Sequence, residues 1–228
     1  MSSSGGEDLF PGPDGLTTIL VGEDFLPVPD RLTTMYICFE GIDGSGKTTH
    51  ASLTASWLRE NGYRVQEVRE PTDSNIGSLI RSMLSTPGAR APDVQRILAL
   101  LFAADRLTLR SKIEGKWSDG VVISDRCYYS SLVYQGPEEW ISEINRFAPR
   151  PDIVILLDID VEVAMERCGG TDEFEDPSYL AGVRERYLEL ADKEGFYTVN
   201  AERGVNMIQR DIRRILAPHL GICSGGIL

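Results

Sequence analysis

The residues best able to do chemistry stand together in Gly41-Ile42-Asp43-Gly44-Ser45-Gly46-Lys47-Thr48, which fits the spacing G-x-x-x-x-G-K-[ST]. Three glycines so close together disfavour helix and strand, but they let successive backbone N–H groups turn inward around an anion. A helix beginning at the lysine would add the positive end of its dipole. The Lys47 ammonium suits the β- and γ-phosphates of a nucleoside triphosphate, and the Thr48 hydroxyl suits a Mg2+ ion bridging them. The run Gly41, Ile42, Asp43, Gly44, Ser45, Gly46, Lys47, Thr48, with Thr49 beside it, is therefore read as an ATP-binding loop with Mg2+ as cofactor. The alternative is a glycine-rich turn that binds nothing.

Such a loop must sit between a strand and a helix, and the flanking sequence supplies both. "YICFE" reads as a short buried strand, while "KTTHASLTASWLREN" has helical spacing and stops at Gly62. "YRVQEV" is a second strand, and helices are expected over Ile76 to Leu84 and Pro92 to about Trp117. "VVISD" and "IVILLDI" are apolar enough to be central parallel strands, "FYTVN" is a fifth, and Val205 to Leu216 is a last helix. Strands alternating with helices imply an α/β fold: a doubly wound five-stranded parallel sheet flanked by helices. Ligands of such sheets sit at the carboxyl ends of the strands.

A guanine-reading N-K-x-D is absent, which argues against a GTPase switch. The L-S-G-G-Q-like signature of a transporter ATPase is also absent, "CSGGIL" being incomplete and at the C-terminus. A small-molecule kinase remains. In "VVISDRCYYSSLVYQG" a carboxylate and an arginine end a buried strand, placing Asp125 near the metal and Arg126 near an acceptor phosphate.

From Tyr36 to about Leu220 the chain resembles the thymidylate kinases, P-loop enzymes that phosphorylate dTMP with ATP. The resemblance rests on "EGIDGSGKTT", on D-R-x-x-x-S-S-x-x-Y-Q-G from Asp125 to Gly136, and on "REPTDSNIGSLIRSML" and "LLFAADR" in the same order. It implies that Phe102 stacks on thymine and that Arg106 donates to its O4, while Ser131 and Gln135 contact the base. It also implies that Tyr134 crowds the sugar's 2′ position and that Asp43 accepts from the 3′-hydroxyl. Arg81 and Arg126 would hold the acceptor phosphate, and Arg167 would lie against the adenine of ATP.

Each role has a plainer alternative. Phe102 in "ILALLFAA" could be core, Arg106 could form a surface ion pair with Asp105, and Tyr134 could be plain packing. Gln135 could open a loop, Asp43 form a turn, and Ser131 cap a helix. Arg81 and Arg167 could lie on solvated helix faces. Asp158, ending "IVILLD", could be a second metal-shell carboxylate or a strand-terminal turn acid.

Phosphoryl transfer to a phosphate needs cations around the transferring group, and one arginine is unaccounted for. Some thymidylate kinases carry it where Gly44 stands; others carry basic residues in a lid. The lid-like stretch Cys168 to Val183 contains no Lys or Arg, and it includes Asp172, Glu173, Glu175 and Asp176. Arg167, Arg184 or Arg186, at its edges, would have to close over the phosphates. The rival expectation is a kinase for another nucleoside monophosphate, or an impaired relative that binds nucleotides as a regulatory module.

The rest of the sequence bounds the setting. The formal net charge of −12 over 228 residues, with no basic run, argues against nucleic acid as a partner. The longest strongly apolar run, Ile153 to Leu157, is too short for a membrane span, and no signal peptide is read at the start. Cys38, Cys127, Cys168 and Cys223 are widely spaced without a C-x-x-C pair, which suits reduced thiols and a cytoplasmic protein. Residues 1–34 read as a poorly ordered extension in which "DLFPGPDGLTT" recurs as "DFLPVPDRLTT"; the kinase domain spans 35–228, with Met35 a candidate alternative start. The family implies a homodimer formed through helices including Gln95 to Leu107.

Overall fold

The computed structural model describes residues 34–114, 120–168 and 176–222. In chain order the elements are β1 (Met35–Glu40), α1 (Lys47–Glu60), β2 (Arg64–Arg69), α2 (Asn75–Leu84), α3 (Pro92–Ile113), β3 (Gly120–Asp125) and α4 (Tyr128–Tyr134). They continue with α5 (Glu138–Ile144), β4 (Ile153–Asp158), α6 (Val161–Cys168), α7 (Pro177–Glu194), β5 (Tyr197–Asn200) and α8 (Val205–Leu220).

The strands form one five-stranded sheet in the order β2-β3-β1-β4-β5, and every pairing is parallel. The apolar runs of β1, β3 and β4 take the middle of the sheet, where helices cover both faces. Ile37, Phe39, Ile123, Ile155 and Leu157 are completely buried there. The more polar β2 and β5 form the edges. Helices α1 and α8 pack together and on the sheet, while α3, α4, α5 and α7 make a second contiguous group. This is the doubly wound arrangement expected from the alternation of strands and helices.

Two boundaries differ from the sequence expectation by more than one residue. Helix α3 ends at Ile113, short of Trp117, and residues 115–119 lie outside the described set. Helix α8 runs past Leu216 to Leu220, because buried Leu216 and Ala217 extend its apolar stripe until Gly221 closes it at φ 70°. The expected extension at 1–34, but for its last residue, and residues 169–175 of the expected lid at 168–183 also fall outside the described residues. The described end of the lid is the start of α7, where the Asp176 side chain accepts from the Tyr179 N–H and Pro177 takes the first helical position. No helix among the described residues is long and apolar enough to cross a membrane.

The sheet positions the chemistry through its carboxyl edge. Strands β1, β2, β3 and β4 end in Glu40, Arg69, Asp125 and Asp158, so four charged groups emerge where the buried strands stop. Register places Asp125 beside Phe39 on one side and Arg69 on the other.

Candidate active site

The loop between β1 and α1 is shaped by backbone that side chains would obstruct. Gly41, Gly44 and Gly46 have φ of 144°, 81° and 89°. A Cβ on Gly41 would lie 2.6 Å from the Leu157 carbonyl oxygen, and one on Gly44 would lie 2.3 Å from that of Ala164. No side chain caps α1, so its first-turn N–H groups remain available to an anion in the adjoining cavity. The buried Ser45 hydroxyl packs beside Gly41, where a Gly41 Cβ would lie 2.8 Å from it, and has no hydrogen-bond partner among the described residues.

Lys47 is buried, and its ammonium donates to the Ile42 carbonyl at 2.9 Å with Asp43 Oδ1 at 3.5 Å. Burial pulls its pKa down, a penalty that an anionic ligand would relieve. The Thr48 hydroxyl donates to an Asp125 carboxylate oxygen. These hard oxygen donors face a cavity of about 960 Å3 that also contains Lys47, and they fit the coordination chemistry of Mg2+.

A second cavity, of about 250 Å3, is walled by Phe102, Arg106, Ser131, Tyr134 and Gln135. Asp43 and Arg126 line both cavities and, with Glu70, Pro71 and Leu84, form the wall between them. Phe102 sits half-buried on α3, turned to the cavity instead of into the core. Arg106 and Asp105 are both buried but do not pair with each other. Arg106 grips Glu70, with Nε at 2.9 and 2.8 Å from its two oxygens and Nη2 at 2.6 Å from Oε2. It also reaches the Asn145 side-chain oxygen, and its Nη2 is 3.3 Å from the Ser131 hydroxyl. Ser131 lies inside α4 and caps nothing. The Gln135 side-chain oxygen is buried without a partner among the described residues, while its amide nitrogen donates to the Gln95 carbonyl at 3.4 Å.

Arg126 adopts the left-handed φ of 72°, unusual for a residue with a side chain. Its N–H donates to the Phe39 carbonyl at 3.0 Å, and its own carbonyl accepts from the Ser124 hydroxyl. The kink throws its guanidinium across to Asp43, 2.5 Å away, and to the hydroxyls of Ser130 and Tyr187 at 3.1 and 3.3 Å. The Arg126 charge holds the Asp43 carboxyl well below the usual carboxylate range, with Lys47 adding to the effect.

Glu40 is the residue that sequence reasoning passed over. Completely buried at the end of β1, it accepts from the N–H groups of Cys127 and Ser130 at 3.0 and 3.1 Å and from the hydroxyls of Ser130 and Tyr187 at 2.8 and 2.9 Å. It thereby fixes α4 directly after Arg126 and faces Arg126 through two shared hydroxyls. A charged residue ending an otherwise apolar strand was the available signal. Cys38 and Cys127, distant in sequence, meet beside Glu40. Burial pushes both thiols up, that of Cys127 to about 11, so both stay protonated near neutral pH.

Of the other expected residues, Arg81 and Arg167 both line the larger cavity. Arg81 donates to the Pro71 and Thr72 carbonyls at 3.1 and 2.8 Å. Arg167, in the last turn of α6, reaches toward the Gly44 and Ala201 carbonyls at 3.5 and 3.2 Å. Arg184 is engaged elsewhere, bidentate on Asp158 at 2.7 and 3.0 Å, which makes Asp158 an ion-pair partner. Arg186 is exposed on α7. The larger cavity also takes Glu202, Arg203 and Val205 from the turn after β5, residues not singled out from sequence. Their position after a strand's carboxyl end was the clue.

Comparison with known proteins agrees with this geometry. A family model described as thymidylate kinase matches residues 39–212. A probable thymidylate kinase of Methanothermobacter thermautotrophicus is 89% identical over 194 residues, covering 85% of this chain and all of the relative. One of Methanobrevibacter smithii is 46% identical over 189 residues, covering 83% of this chain and 97% of the relative. The solved structure of Candida albicans thymidylate kinase superposes with a TM-score of 0.68 at 22% identity, over 82% of this chain and 92% of that one, a likeness of fold. With the family model spanning most of the described residues and a near-identical relative covered end to end, the chain belongs to the thymidylate kinase family.

Proposed function

We propose that the protein transfers the γ-phosphoryl group of ATP to dTMP, giving dTDP and ADP. The observation that carries this reading is the shared wall: Asp43 and Arg126 border both the large cavity beside the phosphate-binding loop and the small aromatic-lined one. A donor in the first and an acceptor in the second would meet there.

An oxygen of the dTMP phosphate attacks the γ-phosphorus as the bond to the ADP oxygen breaks. That oxygen is already anionic, so no strong base is required; the barrier is repulsion between two anions. Lys47 and the N–H groups of the loop hold the donor phosphates, and Arg126 and Arg81 hold the acceptor phosphate. Thr48 and Asp125 would hold Mg2+, which supplies positive charge to the β- and γ-phosphates when bound. Arg167 supplies the remaining cation, since among the candidate arginines it reaches the phosphate-binding loop and Arg184 is already paired.

Phe102 stacks on thymine, and Arg106, anchored by Glu70, turns its remaining Nη1 N–H to O4. The unpartnered Gln135 oxygen accepts from N3–H, with Ser131 beside the base. Asp43 accepts from the 3′-hydroxyl, and the Tyr134 ring leaves no room for a 2′-hydroxyl. The protein acts as a cytoplasmic homodimer, with exposed Ile97, Leu100 and Leu107 on α3 as the contact face. Light scattering of the purified protein tests the dimer.

A coupled assay of ADP release with dTMP, dUMP, UMP, CMP and AMP tests the activity. The fastest turnover is expected with dTMP. Faster turnover of another nucleotide would assign a different monophosphate kinase, and no turnover with any of them would leave a nucleotide-binding regulatory module.

A further inference from the structure

Arg81 lies on α2, yet what holds its guanidinium belongs to the preceding loop. Its Nη1 donates to the Pro71 and Thr72 carbonyls at 3.1 and 2.8 Å, and its Nη2 is 3.4 Å from the Ser78 hydroxyl. The Thr72 carbonyl is also pressed against α2, since a Cβ on Gly77 would lie 1.9 Å from it. Thr72 thus makes the shortest of the contacts that hold the Arg81 guanidinium, and Pro71, Asp73 and Ser78 make the others.

Thr72 is held by a single carboxylate on another helix. Asp105 of α3 is almost completely buried. Its Oδ2 accepts from the Thr72 N–H at 2.7 Å and its Oδ1 from the Thr72 hydroxyl at 2.6 Å. Oδ1 also accepts from the Ser74 hydroxyl at 2.7 Å, and that hydroxyl in turn accepts from the Gly77 N–H at 3.1 Å, capping α2. Next in sequence, Arg106 clamps Glu70 at the other end of the same loop. Two adjacent residues of α3 thus pull the two ends of one loop by opposite charges.

We propose that Asp105 is a positioning residue for acceptor binding, setting Arg81 on the acceptor phosphate through Thr72 and Ser74. This rests on the reading of Arg81 as a phosphate contact. A buried carboxylate that only stabilised the fold would impair both substrates or neither. Asp105 is expected to act mainly on the acceptor side: Pro71 and Arg81 border the larger cavity too, but Lys47 and the glycines that hold the donor lie on the β1–α1 loop, which Asp105 does not touch.

The test is steady-state kinetics of Asp105→Asn, Arg81→Ala and the double variant, with dTMP and ATP varied in turn. Asn keeps one acceptor oxygen and loses the other, so the KM for dTMP should rise about tenfold while the KM for ATP moves less than about twofold. In the Arg81→Ala background, Asp105→Asn should add no further change in the dTMP KM. Independent, multiplying effects on the dTMP KM, or equal shifts in both KM values, would overturn the role of Asp105 while leaving Arg81 as a phosphate contact. An unchanged dTMP KM in Arg81→Ala alone would overturn the underlying reading of Arg81, and the role of Asp105 with it. Should Asp105→Asn fail to fold, Thr72→Val, which removes one of the three donors, carries the test: a smaller rise confined to dTMP supports the proposal, and no rise contradicts it.

Discussion

The Arg126 guanidinium lies 2.5 Å from the Asp43 carboxylate, joining residues 83 positions apart at the wall between two cavities. This pair ties the turn after β3 to the phosphate-binding loop after β1. Each partner favours the charged form of the other.

Asp43 should make stability depend on acid. Its pKa is depressed in the folded protein, so the unfolded chain takes the proton first. The stabilisation is fully present above the ordinary aspartate pKa of about 3.9 and is lost as pH falls from there toward the depressed value. Urea midpoints of wild type and Asp43→Asn should therefore differ by a constant amount between about pH 5 and pH 7 and converge below about pH 4. A gap that widens in acid would contradict the pairing.

Gly44 cannot host the arginine that some relatives carry at that position. With φ at 81° and the Ala164 carbonyl 2.3 Å from where a Cβ would lie, Gly44→Arg must displace either the loop or α6. The variant should lose thermal stability and turn over more slowly than wild type. An increase in kcat with an unchanged melting temperature would show that the loop accepts a side chain after all.

Arg167 and Arg184 should separate cleanly. Removing a cation from the phosphoryl-transfer shell costs about three to five decades in rate in related chemistry, so Arg167→Ala should lower kcat by about a thousandfold or more. Arg184→Ala should chiefly lower stability, because its side chain is bidentate on Asp158. Comparable kcat losses in both, or none in either, would leave the missing cation unassigned.

The parallel sheet was legible because each strand run from Tyr36 onward is followed by helical spacing, and the apolar runs of β1, β3 and β4 mark the strands at its centre. The phosphate-binding loop was legible because its glycines and Lys47 form a local pattern. What was not legible depends on contacts distant in sequence. Nothing local tells that Arg106 pairs with Glu70 instead of its neighbour Asp105, since that depends on which face of α3 meets the loop after β2. Glu40 looked like the end of a strand, and its N–H and hydroxyl donors come from Cys127 just before α4, from Ser130 in α4 and from Tyr187 in α7. The left-handed turn at Arg126 carries no glycine to announce it.

Arg106 and Phe102 line one cavity but should fail differently. Arg106→Ala leaves the buried Glu70 carboxylate unpaired and should destabilise the protein by about 3–5 kcal/mol in urea unfolding. Phe102→Ala removes a partly exposed ring whose loss as a stacking plate costs about 1–3 kcal/mol per base, so the dTMP KM should rise about tenfold with little change in stability. A Phe102→Ala variant with an unchanged dTMP KM and a large loss of stability would mean that the ring is core.

The most direct measurement follows the label from ATP carrying a radioactive γ-phosphate, with Mg2+ and dTMP, in wild type and Lys47→Ala. Label should appear in dTDP, and Lys47→Ala should slow its appearance by about two to three decades. Label released only as inorganic phosphate, or transferred equally well without Lys47, would contradict a site in which the loop holds the donor and Arg126 presents the acceptor.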